Sequence, residues 1–394
     1  MKIKIKLNNY TRTEKFFLFI WSFYSVVSFL SSSELKYMYN LSFIETAAFY
    51  ITIISLALQL FVIRHSMSQL LKYTLFCVLV ALIEISASNK NFLVCTLFIL
   101  VAQNVNAKKV ILFDVKLKII SFICIVGLCL FGVIDNYTAI INGIYKNSVG
   151  FSHPNTFTCF IIIILLECLY LRFEQLKIYD FIIQITLVYI AMQVGGGRTS
   201  AYTYAVILLL FFLAKYCPKI FSIKIVKFMC IIITPLMAFL SYFTAKLYSS
   251  GSVLMKELSA IFSGRIYYNA YFLSKYPVKL LGQEVEQVSS RSAKINNISA
   301  QILDNAYIRC ALLYGVIFLI FLCIVYSVIM YQFFKMDRLE LVLFCLFFVV
   351  AGFGESYMLN VLYNISMLYF LGIRNEMPSS VQAKTFVIKS AAID

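Results

Sequence analysis

Two arginines that follow glycines are the residues in this chain best suited to chemistry. Arg198 comes directly after three glycines in the segment Gly195–Ser200, and Arg265 follows Gly264. Glycine lets the backbone bend and approach a ligand closely, and a planar guanidinium offers paired donors to paired oxygen atoms. Arg198 also opens an apolar run, and the N-terminus of the helix expected there favours an anion. The two segments therefore indicate a phosphate or pyrophosphate site. For the first segment, a flexible turn is the alternative.

Three residues are candidates for accepting a proton near these arginines. Asp304 and Glu355 stand out because carboxylates are scarce in this chain, and His153 is one of only two histidines. A carboxylate or an imidazole beside an anion site can act as a general base. The structural alternatives stay open, since Asp304 is also a typical helix N-cap and His153 a capping residue at a membrane interface.

Tyrosines follow the second arginine directly. Tyr267 and Tyr268 come just after Arg265 in the sequence. Aromatic faces and phenol groups suit sugar rings, which stack on the ring and hydrogen-bond to the hydroxyl. The alternative is an interfacial aromatic belt, since tyrosine is common throughout the chain. Composition alone leaves both interpretations open.

The composition indicates which solvent surrounds these residues. Of 394 residues, 62% are hydrophobic and 13% are charged, which is too much apolar surface for a soluble domain to hide. The net charge of +16 would suggest nucleic acid as the partner of a soluble protein. Here the positive charges cluster at the ends of apolar runs, which is typical of membrane topology, so we expect a lipid bilayer and no nucleic acid. The eleven cysteines lie mostly within apolar runs and lack metal-type spacing, so neither disulfides nor zinc is expected.

About twelve apolar runs approach the length of a membrane span. The runs are 16–32, 42–63, 72–87, 91–107, 117–134, 154–172, 179–194, 199–214, 226–245, 305–334, 340–353 and 358–373. They are continuously apolar rather than alternating, which favours helices over a barrel. The first is expected to be an uncleaved span, because it is long and lacks a small-residue cleavage site. The sequence thus predicts an all-α polytopic integral membrane protein, with 1–394 as a single transmembrane domain.

Basic residues divide the connecting segments into two sets. The basic set contains Lys2, Lys4, Lys6, Arg12, Lys15, Arg64, Lys72, Lys108, Lys109, Lys116, Lys118, Arg172, Lys177, Lys215, Lys219, Lys224, Lys227, Lys335 and Arg338. The charge-poor set contains the loops near 33–41, 88–90, 135–153, 195–198 and 354–357. The positive-inside rule places the basic set and both termini in the cytoplasm, and every candidate functional segment on the outer face of the cytoplasmic (inner) membrane. Glu167 lies near a cytoplasmic end, where we expect it to reach the headgroups.

One segment on the expected outer face, 246–304, is too polar to span and long for a connection between helices. Such a segment indicates a large extracytoplasmic loop with a function. Within it, apolar residues recur at helical spacing from Val253 to Phe262, which predicts a helix that rests on the membrane surface.

The motifs occur in an order that resembles the O-antigen and capsular polysaccharide polymerases and, more distantly, the O-antigen ligases. The matching pieces are Gly150–Asn155, Gly197–Ser200, Ser263–Arg265 with Leu281-Gly282, and Asp304–Tyr307 with Tyr314-Gly315. The resemblance covers residues 150 to 320, and each motif is loose, so the ordered set is what is specific. Ligases commonly have a histidine where this chain has Asp304, which favours a polymerase.

This resemblance implies a glycosyl transfer on the outer face of the membrane. A growing glycan on polyprenyl pyrophosphate is the donor, and a lipid-linked repeat unit is the acceptor. Arg198 and Arg265 would stabilise the departing pyrophosphate electrostatically. The base is expected among Asp304, Glu355 and His153, in that order. Substrate contacts are expected from the remaining candidates, Tyr267, Tyr268, Asn305 and Tyr307.

Neither a divalent metal nor another cofactor is expected, because the arginines supply the positive charge and no outer-face carboxylate cluster is present. The expected partners are polyprenyl-pyrophosphate-linked glycans and the bilayer, and a chain-length regulator stays open as a protein partner. Three alternatives remain: a ligase, a transporter or flippase of lipid-linked glycans, and a purely structural membrane protein. Secondary carriers usually have two-fold repeats and broken helices at mid-membrane, whereas the polar residues of interest here lie at one surface.

Overall fold

The computed structural model describes residues 10–372, except 64, 88–91, 142, 290, 292, 294–297 and 299. The basic residues Lys2, Lys4, Lys6, Arg64 and Lys294, the predicted loop at 88–90 and both chain termini therefore lie outside the described residues. Within the described residues the chain is mainly helical, and β1 (Thr138–Ile141) and β2 (Ile144–Asn147) form a two-stranded antiparallel sheet.

Helices dominate the fold, as the continuous apolar runs predict. The α-helices are α1 Arg12–Ser31, α2 Leu35–Met38, α3 Ser42–Val62, α4 Met67–Ala87, α5 Phe92–Ala102, α6 Ala107–Leu130, α7 Pro154–Arg172, α8 Ile178–Gly195, α9 Arg198–Tyr216, α10 Lys224–Ser249, α11 Val253–Ile261, α12 Arg265–Lys275, α13 Ala306–Arg309, α14 Val316–Lys335, α15 Leu339–Ala351 and α16 Tyr369–Gly372. In the described chain, eight are long and apolar enough to cross a membrane: α1, α3, α4, α7, α8, α9, α10 and α14. Two shorter helices, α5 and α15, are also apolar.

Two predicted spans are not single helices. The run 305–334 is broken, because α13 passes into a π-helical turn at Cys310–Tyr314 and α14 starts only after Gly315. The run 358–373 forms 3₁₀ turns at Tyr357–Leu359 and Ile365–Leu368 before the short α16. Here Asn364 Nδ2 donates to the Met358 carbonyl at 2.9 Å, and such side-chain bonds compete with the helical ladder.

The region around α6 differs from the prediction in another way. Because α6 starts at Ala107, the lysines at 108, 109, 116 and 118 lie on a helix of 24 residues, not in a connecting loop. Lys118 is buried, and its ammonium pairs with Asp114 Oδ2 at 2.5 Å and with Glu167. Glu167 is 0% exposed, so the expectation that it reaches the headgroups was wrong. The Trp21 indole N–H donates to Asp114 at 2.7 Å, so this buried charged cluster joins α1, α6 and α7.

The helix α15 is the centre of the bundle and carries part of the candidate site at its C-terminal end. Every residue from Leu341 to Val349 is buried, and α15 packs against α7, α9, α10 and α14. A helix that is apolar on all sides suits such a central place. Gly352–Ser356 follows it directly.

The predicted loop 246–304 begins later than expected, because α10 continues to Ser249. The helix predicted from Val253 to Phe262 is confirmed as α11, whose first turn is capped by the Ser252 hydroxyl. Between α12 and Asn305 the described chain has an isolated antiparallel bridge between Val288 and Gln301.

Candidate functional site

Two adjacent cavities lie at one end of the bundle, which we call the arginine end because Arg198 and Arg265 are there. Cavity 1 has a volume of about 460 Å³ and cavity 2 of about 510 Å³. The residues that line both are His153, Asn155, Arg265, Ile302 and Glu355. Asp304 lines cavity 1 alone and Arg198 lines cavity 2 alone. All five predicted catalytic and pyrophosphate-binding residues thus lie around one pair of cavities.

Arg265 binds both candidate carboxylates. It is the first residue of α12, and the turn before it has two residues of positive φ, Ser263 (55°) and Gly264 (81°). One guanidinium nitrogen, Nη1, pairs with Asp304, and Nη2 lies 3.6 Å from Glu355 Oε1. The three side chains are 12%, 19% and 15% exposed, so solvent screens these pairs little.

Glu355 is also held by a short chain of hydroxyl groups. Ser200 Oγ donates to Glu355 Oε1 at 3.4 Å, and the Tyr357 hydroxyl donates to Ser200 Oγ at 3.2 Å. Burial raises the pKa of Glu355, while Arg265 and the Ser200 hydrogen bond act against that rise. A carboxyl group whose pKa is raised toward neutrality suits proton transfer better than an ordinary glutamate.

The glycine turn before Arg198 packs tightly on the first turns of α7. Gly196 has a φ of 82°, which favours glycine. A Cβ on Gly195 would lie 2.6 Å from the Pro154 carbonyl oxygen, and one on Gly197 would lie 2.9 Å from Thr158 Cβ. The three glycines therefore allow both the turn itself and its close packing against α7.

The two arginine segments contact each other. Arg198 Nη2 donates to Ser263 Oγ at 3.0 Å, which brings the start of α9 beside the turn that precedes α12. Gly197, Arg198 and Thr199, at the start of α9, line cavity 2, and the positive end of the helix dipole there favours an anion. The predicted anion site therefore has its expected components in one cavity.

His153 has a capping role and also faces both cavities. Its Nδ1 accepts the backbone N–H of Asn155 at 3.1 Å, so it is the N-cap of α7. Burial, helped by the charge of Arg265, lowers the pKa of His153 and favours the neutral imidazole. A neutral ring with Nδ1 accepting carries its hydrogen on Nε2. His153 therefore suits holding an oxygen atom better than removing a proton.

The predicted substrate contacts divide into two groups. Tyr268 lines cavity 2, whereas Tyr267 is 46% exposed and its ring centroid lies 5.2 Å from that of Tyr268. Asn305 and Tyr307 line neither cavity and are 1% and 0% exposed. The structure thus brings one of the four to a cavity wall.

Asn305 and Tyr307 instead position the neighbouring segments. Asn305 Oδ1 caps α13 by accepting the N–H groups of Tyr307 at 3.0 Å and Ile308 at 2.9 Å. Its amide donates to the Phe353 carbonyl at 2.7 Å, and the Tyr307 hydroxyl donates to the Val349 carbonyl at 2.6 Å. These bonds hold the segment of Asp304 against the segment of Glu355.

The glycines of the third and fourth motifs also meet. Gly282 and Gly315 have φ of 83° and 93°, and a Cβ on either would collide with backbone of the other segment. Val316 N–H donates to the Lys279 carbonyl at 3.1 Å, and Gln283 N–H to the Leu313 carbonyl at 3.3 Å. This contact explains the break at Gly315 that the hydropathy pattern did not predict.

Several residues around the cavities were not predicted. Arg291 binds the buried carboxylate of Glu34 through two contacts of 2.8 and 2.7 Å, and its guanidinium lies 3.6 Å from the ring centroid of Tyr37. Arg309 lines cavity 1 from the end of α13. Arg309 could have been noticed in the sequence because it is an arginine inside an apolar run. Glu34 could not, because its partner Arg291 is more than 250 residues away.

The β-hairpin forms one wall of cavity 2. Residues 137–140 and Tyr145 line it. The buried Lys146 anchors the hairpin on α8, since its ammonium donates to the Gln193 carbonyl at 2.6 Å and the Met192 carbonyl at 3.3 Å. These carbonyls come just before the glycine turn, so the hairpin also holds that turn in place.

The described residues contain no group of three or more His, Cys, Asp or Glu side chains placed to hold a metal ion. The polar groups that the arginine end does offer are guanidinium cations, two carboxylates, an imidazole, and tyrosine, serine and asparagine side chains. Together they can bind an oxyanion and accept a proton near it. In comparisons with known proteins, no family model, no curated protein and no solved structure matches the chain.

Proposed function

We propose that this protein is a polysaccharide polymerase of the type that the motif order resembles. It transfers a growing glycan from polyprenyl pyrophosphate to a lipid-linked repeat unit. The observation that carries the proposal is the position of Arg265, which lines both cavities and binds both candidate carboxylates. A transfer between two large substrates needs adjoining compartments that meet at the reacting atoms.

The donor pyrophosphate is assigned to cavity 2. Arg198, Arg265 and the N-terminus of α9 supply positive charge there, and the His153 N–H supplies a further donor. These groups stabilise the negative charge that gathers on the leaving pyrophosphate as its bond to the sugar breaks.

The acceptor hydroxyl is assigned to cavity 1, where Asp304 and Glu355 are the only carboxylates among the described lining residues. Its oxygen bonds to the anomeric carbon as the carbon–oxygen bond to pyrophosphate breaks, and the pyrophosphate leaves with the electron pair. The hydroxyl proton passes to a carboxylate. Because pyrophosphate competes for Arg265, its binding weakens the hold of that cation on Glu355 and makes the carboxylate a stronger base.

The sidedness follows from the distribution of basic residues. At the end of the bundle opposite Arg198, Lys215 lies in the last turn of α9, α7 ends at Arg172, and α14 ends at Lys335. By the positive-inside rule that end is cytoplasmic, and the arginine end is on the outer face of the cytoplasmic membrane. Lipid-linked glycans would meet the cavities there.

A transporter is the second candidate, and one observation favours it. In the buried charged cluster, Asp114 and Lys118 on α6 meet Glu167 on α7, one of the helices apolar enough to cross a membrane, and ionisable groups buried in such helices often serve transport. A carrier would move the lipid-linked glycan without changing it covalently.

The test is reconstitution of the full-length protein in lipid with short lipid-linked repeat units. We expect a ladder of polymers from the wild type. In Arg198→Ala and Arg265→Ala the polymerisation rate should fall by a factor on the order of 100 or more. Arg338→Gln is the matched control, because that arginine pairs with Glu340 near the other end of the bundle.

The other outcomes identify the alternatives. Transfer of the glycan to an acceptor that is not a repeat unit indicates a ligase. Movement of the substrate across the membrane without a new bond indicates a transporter. In cells, deletion that removes even single repeats from the surface contradicts the polymerase, since a polymerase is needed only to extend them.

A further inference from the structure

Among the described arginines that line cavity 1, Arg309 is the one that pairs with no described carboxylate. Arg265 and Arg291, which also line it, pair with carboxylates. Arg309 forms no ion pair with a residue of the described chain, and its guanidinium makes one long hydrogen bond, to the Leu303 carbonyl at 3.4 Å. Most of its five N–H donors are thus uncommitted among the described residues.

A half-buried guanidinium beside apolar residues calls for an anion to balance its charge. Arg309 lies between the buried Ile308 and Cys310 in a predominantly apolar stretch, where a charge is costly unless an anion balances it. Both carboxylates that line cavity 1 already bind Arg265. The planar fork of donors matches the paired oxygens of a carboxylate or a phosphate.

The rest of the lining indicates what kind of molecule carries that anion. Cavity 1 is lined by amide and hydroxyl side chains that can bond sugar hydroxyls, together with aromatic rings that can stack on sugar rings. These residues are Tyr37, Asn155, Ser289, Ser356, Asn360 and Tyr363. Arg198 lines cavity 2 and not cavity 1, so this second anion site differs from the pyrophosphate site.

We propose that Arg309 binds an anionic substituent, a carboxylate or phosphate, on the sugar portion of the substrate in cavity 1. The repeat unit that this protein accepts is then acidic. The inference rests on the proposed function for the identity of the substrate, but the site itself can be tested without any polymerisation.

The test uses the full-length protein in lipid nanodiscs and three probes: glucuronate, its neutral counterpart methyl glucoside, and inorganic pyrophosphate. Binding is titrated by saturation-transfer NMR for the sugars and by phosphorus NMR for pyrophosphate. We expect glucuronate to bind more tightly than methyl glucoside, and Arg309→Met to weaken glucuronate roughly tenfold or more. Arg198→Met, the matched change in the other cavity, should leave glucuronate unchanged and weaken pyrophosphate.

Two results would overturn the inference: equal binding of glucuronate and methyl glucoside, or unchanged glucuronate affinity in Arg309→Met. Weaker pyrophosphate binding in Arg309→Met, without glucuronate binding, would also overturn it and assign Arg309 to the phosphate of a lipid carrier. If the methionine variant does not fold, Arg309→Lys takes its place, because lysine keeps the charge without the planar pair of donors. We expect its affinity for glucuronate to fall several-fold. Failure of the proposed function is distinguishable, because it removes the polymer ladder while glucuronate binding remains.

Discussion

The Tyr357 hydroxyl donates a hydrogen bond to Ser200 Oγ at 3.2 Å, although 157 residues separate the two in sequence. Ser200 Oγ in turn donates a hydrogen bond to Glu355 Oε1. Ser200, the second residue after Arg198, is therefore part of the environment of Glu355, so the start of α9 contributes both to the anion site and to the surroundings of the proposed base.

The first prediction concerns pH. Activity that needs ionised Glu355 should fall as the pH drops through the raised pKa of that group, at a higher pH than for an ordinary glutamate. Ser200→Ala removes a hydrogen bond that lowers this pKa, so the acidic limb should move to still higher pH. The measurement is the initial polymerisation rate against pH.

Tyr363→Phe is the control for that profile, since Tyr363 lines cavity 1 without a hydrogen bond to Ser200. Its acidic limb should coincide with that of the wild type. An unmoved limb in Ser200→Ala would mean that Glu355 is not the group whose ionisation limits the rate.

The second prediction concerns the glycine turn. Gly195→Ala and Gly197→Ala place a methyl group against Pro154 and Thr158, so α7 and α8 must separate and move Arg198. We expect each variant to lose at least tenfold in activity, because a misplacement of about 1 Å can cost 100-fold. Gly127→Ala is the matched control, since a Cβ there meets nothing within 4 Å. Equal activity in all three would contradict a tight turn.

The third prediction concerns Asn305. Asn305→Ala removes the cap of α13 and the amide bonds to Phe353 and Ser241, which should lower the free energy of unfolding by roughly 1–3 kcal/mol. Asn305→Ser keeps a capping oxygen without burying a charge and removes the amide donor, so it should lose activity with a smaller loss of stability. Thermal unfolding and polymerisation are measured on both, and retained activity in the alanine variant would refute a positioning role.

The fourth prediction concerns the pair of Arg291 and Glu34. Glu34 is 2% exposed and both of its carboxylate oxygens accept from Arg291 Nη1, so a double-mutant cycle with Glu34→Gln and Arg291→Met should give a coupling energy of about 1–3 kcal/mol. The exposed pair of Lys275 and Glu286 should couple far more weakly, because solvent screens it. Chemical unfolding measures both cycles, and similar values would argue against a firm attachment of the loop at Arg291.

Much of the helical architecture was predictable because a membrane-type helix is continuously apolar, as the runs at 42–63 and 154–172 illustrate. The break at Gly315 was not, since it depends on contact with Gly282, about 30 residues away. The turns after α15 were missed for a similar reason, because hydropathy does not register that Asn364 bonds the backbone.

The candidate site was predictable as a set of residues but not in its geometry. Sidedness alone grouped Arg198, Arg265, Asp304 and Glu355 at one end of the bundle. Which side chains face a cavity depends on rotation about each helix and on caps, so the sequence could not separate Tyr268 from the buried Tyr307.

The buried charged cluster has a practical consequence. Trp21 is the only tryptophan in the sequence, and its indole N–H is bonded to Asp114. The intrinsic fluorescence of the unlabelled protein is therefore a local probe of the electric field between α1, α6 and α7. Any event at the arginine end that shifts these helices should change the emission wavelength, which offers an optical signal of substrate binding without a dye.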